Sequence, residues 1–124
     1  FGGNPLAMRS ANAVLDLLLE DDFLKTLREN ITYFDNKMDD LINDDDKVSP
    51  VILCKKGSGM LRGFHLRENF AAGDFGNISR EKGLLLVGAA ENTIRLLPPL
   101  NTSKEEIDQA FEILSEVVKE IKKN

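Results

Sequence analysis

The sequence predicts an α+β fold, a small four-stranded, mostly antiparallel sheet with helices on one face. Three observations predict it. Residues 22–42 carry apolar side chains at helical spacing, and residues 104–122 open on a capping box and carry a second such stripe. Between them lie four short strand-like runs parted by turn residues. A chain of 124 residues, 42% hydrophobic and 30% charged, has the length and balance of one globular domain.

Asn4-Pro5 starts the first helix, because Asn caps free backbone N–H groups and Pro at the first position sacrifices none. Over residues 5–20 the apolar side chains Leu6, Met8, Ala11, Val14, Leu15, Leu17, Leu18 and Leu19 occupy most faces. Such a helix is buried or lies between two bodies. Phe23, Leu27, Ile31, Phe34, Met38 and Leu41 then form one stripe over residues 22–42, explained by core packing, and Pro50 breaks the chain after a polar stretch. Val51–Lys55 and Met60–Leu66 read as strands joined at Lys56-Gly57-Ser58-Gly59. A third helix is expected over residues 75–82, with Gly83 past its end. Leu84–Val87 and Thr93–Leu97 are the remaining strands, turning at Ala90-Glu91-Asn92. Ser103-Lys104-Glu105-Glu106 caps the last helix, whose stripe runs from Ile107 through Phe111 and Leu114 to Ile121.

Composition and motifs exclude several functions. A net charge of −5 with scattered basic residues argues against binding a phosphate backbone. The acidic run Asp44-Asp45-Asp46 reads as a solvated loop. One cysteine, Cys54, rules out an internal disulfide, and its place after Val51-Ile52-Leu53 predicts a buried, inert thiol. His65, the one histidine, has no partner at ligand spacing, so no metal is expected and a satisfied or surface imidazole is. Gly57-Ser58-Gly59 lacks the third glycine and the Gly-Lys-Ser/Thr of phosphate loops and reads as a turn. No segment resembles a signal peptide or membrane span, which makes the cytoplasm the default location. Lacking an initiator methionine, the chain is expected to be a fragment or processed product.

Arg95 alternates with Ile94 and Leu96 and so points to the opposite face, while Pro98-Pro99 fix where its strand ends. A guanidinium held there suits bidentate capture of a carboxylate. On the residues alone, a surface salt bridge is the preferred use of it.

Four blocks carry a resemblance. Phe1-Gly2-Gly3-Asn4-Pro5-Leu6-Ala7, Gly57-Ser58-Gly59-Met60-Leu61-Arg62-Gly63, Arg80-Glu81-Lys82-Gly83-Leu84-Leu85 and Asn92-Thr93-Ile94-Arg95-Leu96-Leu97-Pro98-Pro99-Leu100 occur in that order. Together they resemble the C-terminal small domain of class III pyridoxal-phosphate aminotransferases, in the form nearest the acetylornithine type. The resemblance implies a cytoplasmic homodimer of fold type I that moves an amino group between N-acetylornithine and 2-oxoglutarate in arginine biosynthesis. Ornithine, succinylornithine and 4-aminobutyrate enzymes carry similar blocks. It divides the chain into a leader and interdomain helix (1–20) and the small domain proper (21–124). It makes Arg95 a substrate-binding residue that holds a carboxylate, overtaking the salt-bridge reading.

Phe1, Gly2 and Gly3 are placed beside the cofactor at most, as a leader to the Asn4 cap. The family's phosphate-binding hydroxyl precedes that block and is not among these residues. Pyridoxal phosphate also needs a lysine for attachment and an acidic partner for its ring nitrogen, and the family carries both in the large domain. None of the ten lysines here lies in such a motif, and Lys55, Lys56, Lys82 and those of the last helix read as solvent-facing. The resemblance therefore implies no catalytic residue in this chain, an inactive isolated domain, and partners in a large domain and a second subunit. Parted from them, residues 5–20 are expected to drive self-association. The reading from a different class is a non-catalytic α+β binding or regulatory module.

Overall fold

The computed structural model describes residues 1–123. The elements are α1 (Pro5–Leu18), α2 (Phe23–Asp44), β1 (Ile52–Ser58), β2 (Leu61–Leu66), α3 (Ala72–Glu81), β3 (Val87–Ala89), β4 (Thr93–Leu96) and α4 (Lys104–Ile121). One antiparallel sheet runs in the order β1-β2-β4-β3. Alternation sends Phe64, Leu66, Ile94 and Leu96 to one face, where they pack with Phe34, Met38 and Leu41 of α2, Phe75 and Ile78 of α3, and the apolar stripe of α4. The fold is the α+β arrangement expected, with the sheet antiparallel throughout.

The helix signals act as read. Asn4 Oδ1 accepts from the N–H groups of Leu6 and Ala7 at 2.9 and 3.2 Å. At α4 the Ser103 side chain accepts from Glu106 N, and Ser103 N donates to Glu106 Oε2 at 2.8 Å. The α2 stripe buries Phe34, Met38 and Leu41, and Phe34 meets the Phe111 ring edge-on at a centroid distance of 5.6 Å. Helix α1 differs. It contributes no buried residue and packs mainly on α2, leaving Leu6, Met8, Val14, Leu15, Leu17 and Leu19 each at least half exposed.

Two strands shift from their expected places. β1 continues through Gly57 to Ser58, so the turn is Gly59-Met60, with Gly59 at the positive φ such a turn needs. Gly57 is also left-handed, and a Cβ there would collide with the Leu61 carbonyl oxygen. β3 begins at Val87, where the Leu84–Val87 strand was expected to end. β4 stops at Leu96 before Pro98-Pro99, so residues 84 and 85 have no strand opposite them, and the ladder begins at Val87. The Leu84 backbone instead serves α3: Leu84 N donates to Ser79 O, and Ser79 Oγ donates to Leu84 O at 2.8 Å.

The acidic run is not a solvated loop throughout. The Asp45 side chain is fully buried, and its Oδ2 accepts from Val51 N and Ile52 N at 2.7 and 3.0 Å. Its Oδ1 accepts from Asp46 N and from Lys122 Nζ, the latter at 2.6 Å. The end of α2, the start of β1 and the end of α4 are thus tied to one carboxylate. Cys54 is exposed rather than buried. A bulge between Ile52 and Cys54 shifts the register of β1, so the apolar run before Cys54 does not continue into the core.

Removing a buried carboxylate strands the donors it satisfied. Asp45→Ala is expected to cost about 3–5 kcal/mol, read as a lowered midpoint in urea unfolding. Asp45→Asn, which keeps an acceptor, is expected to cost less.

Candidate functional site

The face of the sheet away from the helices is open. Because Ile94 and Leu96 must enter the core, Arg95 between them projects from this face and is exposed. The ladder sets its neighbours: Gly63 on β2 and Val87 on β3 lie opposite Arg95, and Lys56 on β1 lies opposite Gly63. Among the described residues no carboxylate pairs with the Arg95 guanidinium. It lines a shallow cavity of about 420 Å³ together with Lys56, Leu61, Gly63, Thr93 and Leu97. Gly63 is needed here, since a Cβ would lie 2.8 Å from the Thr93 methyl.

Two features fix this face. The turn between β3 and β4 holds Glu91 at φ 56° and Asn92 at φ 48°, both left-handed. Asn92 secures it: its Oδ1 accepts from Ala72 N at 2.9 Å, and its Nδ2 donates to Phe70 O at 2.9 Å and to Arg67 O at 3.2 Å. Glu91 reaches across the sheet and accepts from Lys56 Nζ at 2.7 Å. That hydrogen bond, chiefly, holds the Glu91 carboxyl below the usual range. Sequence reasoning placed the turn and missed both roles, because a contact with a distant strand leaves no local pattern.

The other expected site residues lie elsewhere. Phe1, Gly2 and Gly3 are exposed ahead of α1, and none of them lines the Arg95 cavity. His65 is only partly exposed, and its imidazole is not fully satisfied. It is half-buried between Cys54 and Thr93 on its neighbouring strands, with a buried Nδ1 that has no partner among the described residues. No group of three potential metal ligands occurs among the described residues.

Several lysines read as solvent-facing are tied to carboxylates. Lys55 Nζ bridges Asp35 and Asp39 of α2 at 2.8 and 2.7 Å. Lys82 bridges Glu116 and Glu120 of α4; Lys37 of α2, a lysine outside that reading, pairs with Asp108 at 2.6 Å. The hydrogen bonds these amines donate to the carboxylates raise the pKa of all three. Attachment of an aldehyde cofactor needs the opposite, a neutral amine. These lysines, with Lys56 on Glu91 and Lys122 on Asp45, do not fit the attachment of pyridoxal phosphate. Arg62 is likewise committed: its Nη2 lies 2.7 Å from Asp35 Oδ1, an ion pair without hydrogen-bond alignment.

A larger depression of about 800 Å³ lies beside α3 and the end of α4. Asp46, Asp74 and Glu81 line it against the single cation Lys122, which already serves Asp45. That charge balance disfavours an anion. The chemistry offered by Arg95 is confined to the open sheet face.

An acetylornithine aminotransferase of Streptococcus mutans is 38% identical over 117 residues, which are 94% of this chain and 29% of that protein. An ornithine aminotransferase of Exiguobacterium sp. is 37% identical over 118 residues, 95% of this chain and 28% of that protein. The crystal structure of acetylornithine aminotransferase from Elizabethkingia anophelis superposes with a TM-score of 0.84 at 28% identity, covering 97% of this chain and 30% of that one. The chain thus spans under a third of the length of the relatives it matches. Among the described residues no helix is long and apolar enough to cross a membrane. Residues 1–118 match the Aminotransferase class-III family, and the chain belongs to it.

Proposed function

We propose that this chain is the small-domain portion of a pyridoxal-phosphate-dependent aminotransferase of the acetylornithine type. It would act in the cytoplasm as part of a homodimer that moves an amino group between N-acetylornithine and 2-oxoglutarate in arginine biosynthesis. The observation that carries the reading is Arg95: a strand-held, exposed guanidinium with no carboxylate partner among the described residues, over a cavity with apolar walls. Its planar fork binds a substrate carboxylate through two charge-assisted hydrogen bonds. The similarity to acetylornithine aminotransferases supports the choice of amino donor, and that to an ornithine aminotransferase makes ornithine the competing one.

When bound, pyridoxal phosphate supplies the electron sink for amino transfer. The lysine that carries it and the acid that faces its ring nitrogen belong, on this proposal, to a large domain outside these residues. Phe1, Gly2 and Gly3 then lead toward the cofactor without touching its reacting atoms. This chain orients the substrate through Arg95, and Leu61 and Leu97 line the approach.

In the longer enzyme, Arg95→Lys is expected to lower kcat/KM for the carboxylate substrate by about 10- to 100-fold, the worth of a charged hydrogen bond in a bidentate pair. Unchanged kinetics would remove Arg95 from the site.

The isolated chain is expected to form no specific lysine adduct. Incubation with pyridoxal phosphate, borohydride reduction and peptide mapping reads this directly, and one stoichiometric adduct would refute it.

Residues 5–20 carry the third expectation. With its apolar side chains exposed, α1 lies between the domains of the whole enzyme on this reading. The isolated chain is therefore expected to self-associate through it. Light scattering should show mass rising with concentration, and Leu15→Glu/Leu19→Glu should abolish the rise. A wild-type monomer at high concentration contradicts the assignment.

A further inference from the structure

We propose that Lys56 is a second anion-binding residue beside Arg95, and that Glu91 is its resident counter-ion, displaced when a ligand with two carboxylates enters. This rests on the reading of Arg95 as a carboxylate binder and extends it to a residue that sets ligand choice.

The ladder supplies the geometry. Lys56, Gly63, Arg95 and Val87 form one row across the four strands, on the face away from the helices. Lys56 and Arg95 are two strands apart, or about 9–10 Å between their backbones. Gly63 between them has no side chain, so nothing in that row separates the two cations. Both line the same cavity, with Leu61 and Leu97 as apolar walls. A carboxylate at each end and methylenes between them match that order of charge and apolar surface.

Glu91 supplies the second observation. It adopts a left-handed conformation that residues with a Cβ seldom take, in a turn that Asn92 secures. From there it reaches from the β3–β4 turn to β1 and meets Lys56 at 2.7 Å. The side chains remain 41% and 75% exposed, so a ligand carboxylate reaches Lys56 without burying either partner. An exposed pair of this kind is weak and exchangeable. Glu91 therefore holds Lys56 at the cavity while no ligand is present and yields it to a carboxylate that Arg95 has already anchored.

The test is a titration of the 124-residue chain with glutarate and with butyrate at constant ionic strength, followed at the Gly63 and Arg95 amides by NMR. The quantity read is the ratio of glutarate to butyrate affinity. Glu91→Gln, which frees Lys56, is expected to raise it about 2- to 5-fold. The pair Lys56→Met/Glu91→Gln leaves the net charge of the wild type unchanged and is expected to lower the ratio below wild type by a similar factor. Butyrate affinity should stay constant, because it depends on Arg95. A ratio equal in wild type and in the double variant overturns the role of Lys56 while leaving Arg95 in place. Shifts that survive in Arg95→Met, or no shift with either ligand in the wild type, overturn the Arg95 reading and the proposal with it.

Discussion

The buried carboxylate of Asp45 joins three parts of the chain that are far apart in sequence. It ends α2, takes the first two amides of the segment that becomes β1, and meets Lys122 beyond α4. Burying a charge is unfavourable unless every lone pair is used, and here three backbone amides and an ammonium use them. The geometry that results is specific. Val51 and Ile52 enter the core with their amides anchored, so the sheet begins at a defined distance from α2. The helix-facing residues of β1 and β2 then meet α2 in register, which lets Lys55 reach Asp35 and Asp39 and Arg62 reach Asp35.

The two faces of the sheet are consequently unequal. The helix face is apolar at its centre and bordered by ion pairs, and the open face carries Cys54, Lys56, Leu61, Gly63, His65, Thr93 and Arg95. No described helix covers it. A four-stranded sheet with one face packed is sufficient for a domain. The other face is then free for a ligand or another body, and the chain spans under a third of its relatives' length.

What the sequence makes legible follows from the range of each interaction. α2 and α4 were readable because their stripes and the Ser103 cap act within a turn or two. The alternation of Ile94, Arg95 and Leu96 was readable for the same reason, and with it the side of the sheet on which Arg95 stands. Asp45 was not, since an acidic run looks solvated until the fold brings Val51 N, Ile52 N and Lys122 to it. Cys54 was misread because a one-residue bulge changes register without changing composition. The Leu84–Val87 strand was misplaced because pairing depends on the partner, and β4 ends before the prolines. Glu91, Asn92 and Lys56 were read as turn and surface residues, although their contacts cross the sheet.

The core and the candidate site are one constraint seen from two sides. Phe64, Ile94 and Leu96 must face the helices for the domain to bury its core, so Gly63 and Arg95 must face away. A one-residue slip of β4 against β2 would bury the Arg95 guanidinium and expose Ile94, costing the apolar contacts and stranding a charge at once. The position of Arg95 is therefore protected by the stability of the domain, without any side-chain hydrogen bond among the described residues. That leaves the guanidinium uncommitted while its backbone stays fixed. On the proposed reading of Arg95 as a carboxylate binder, release and rebinding need that combination: its location is set by packing, and its charge is left for the ligand.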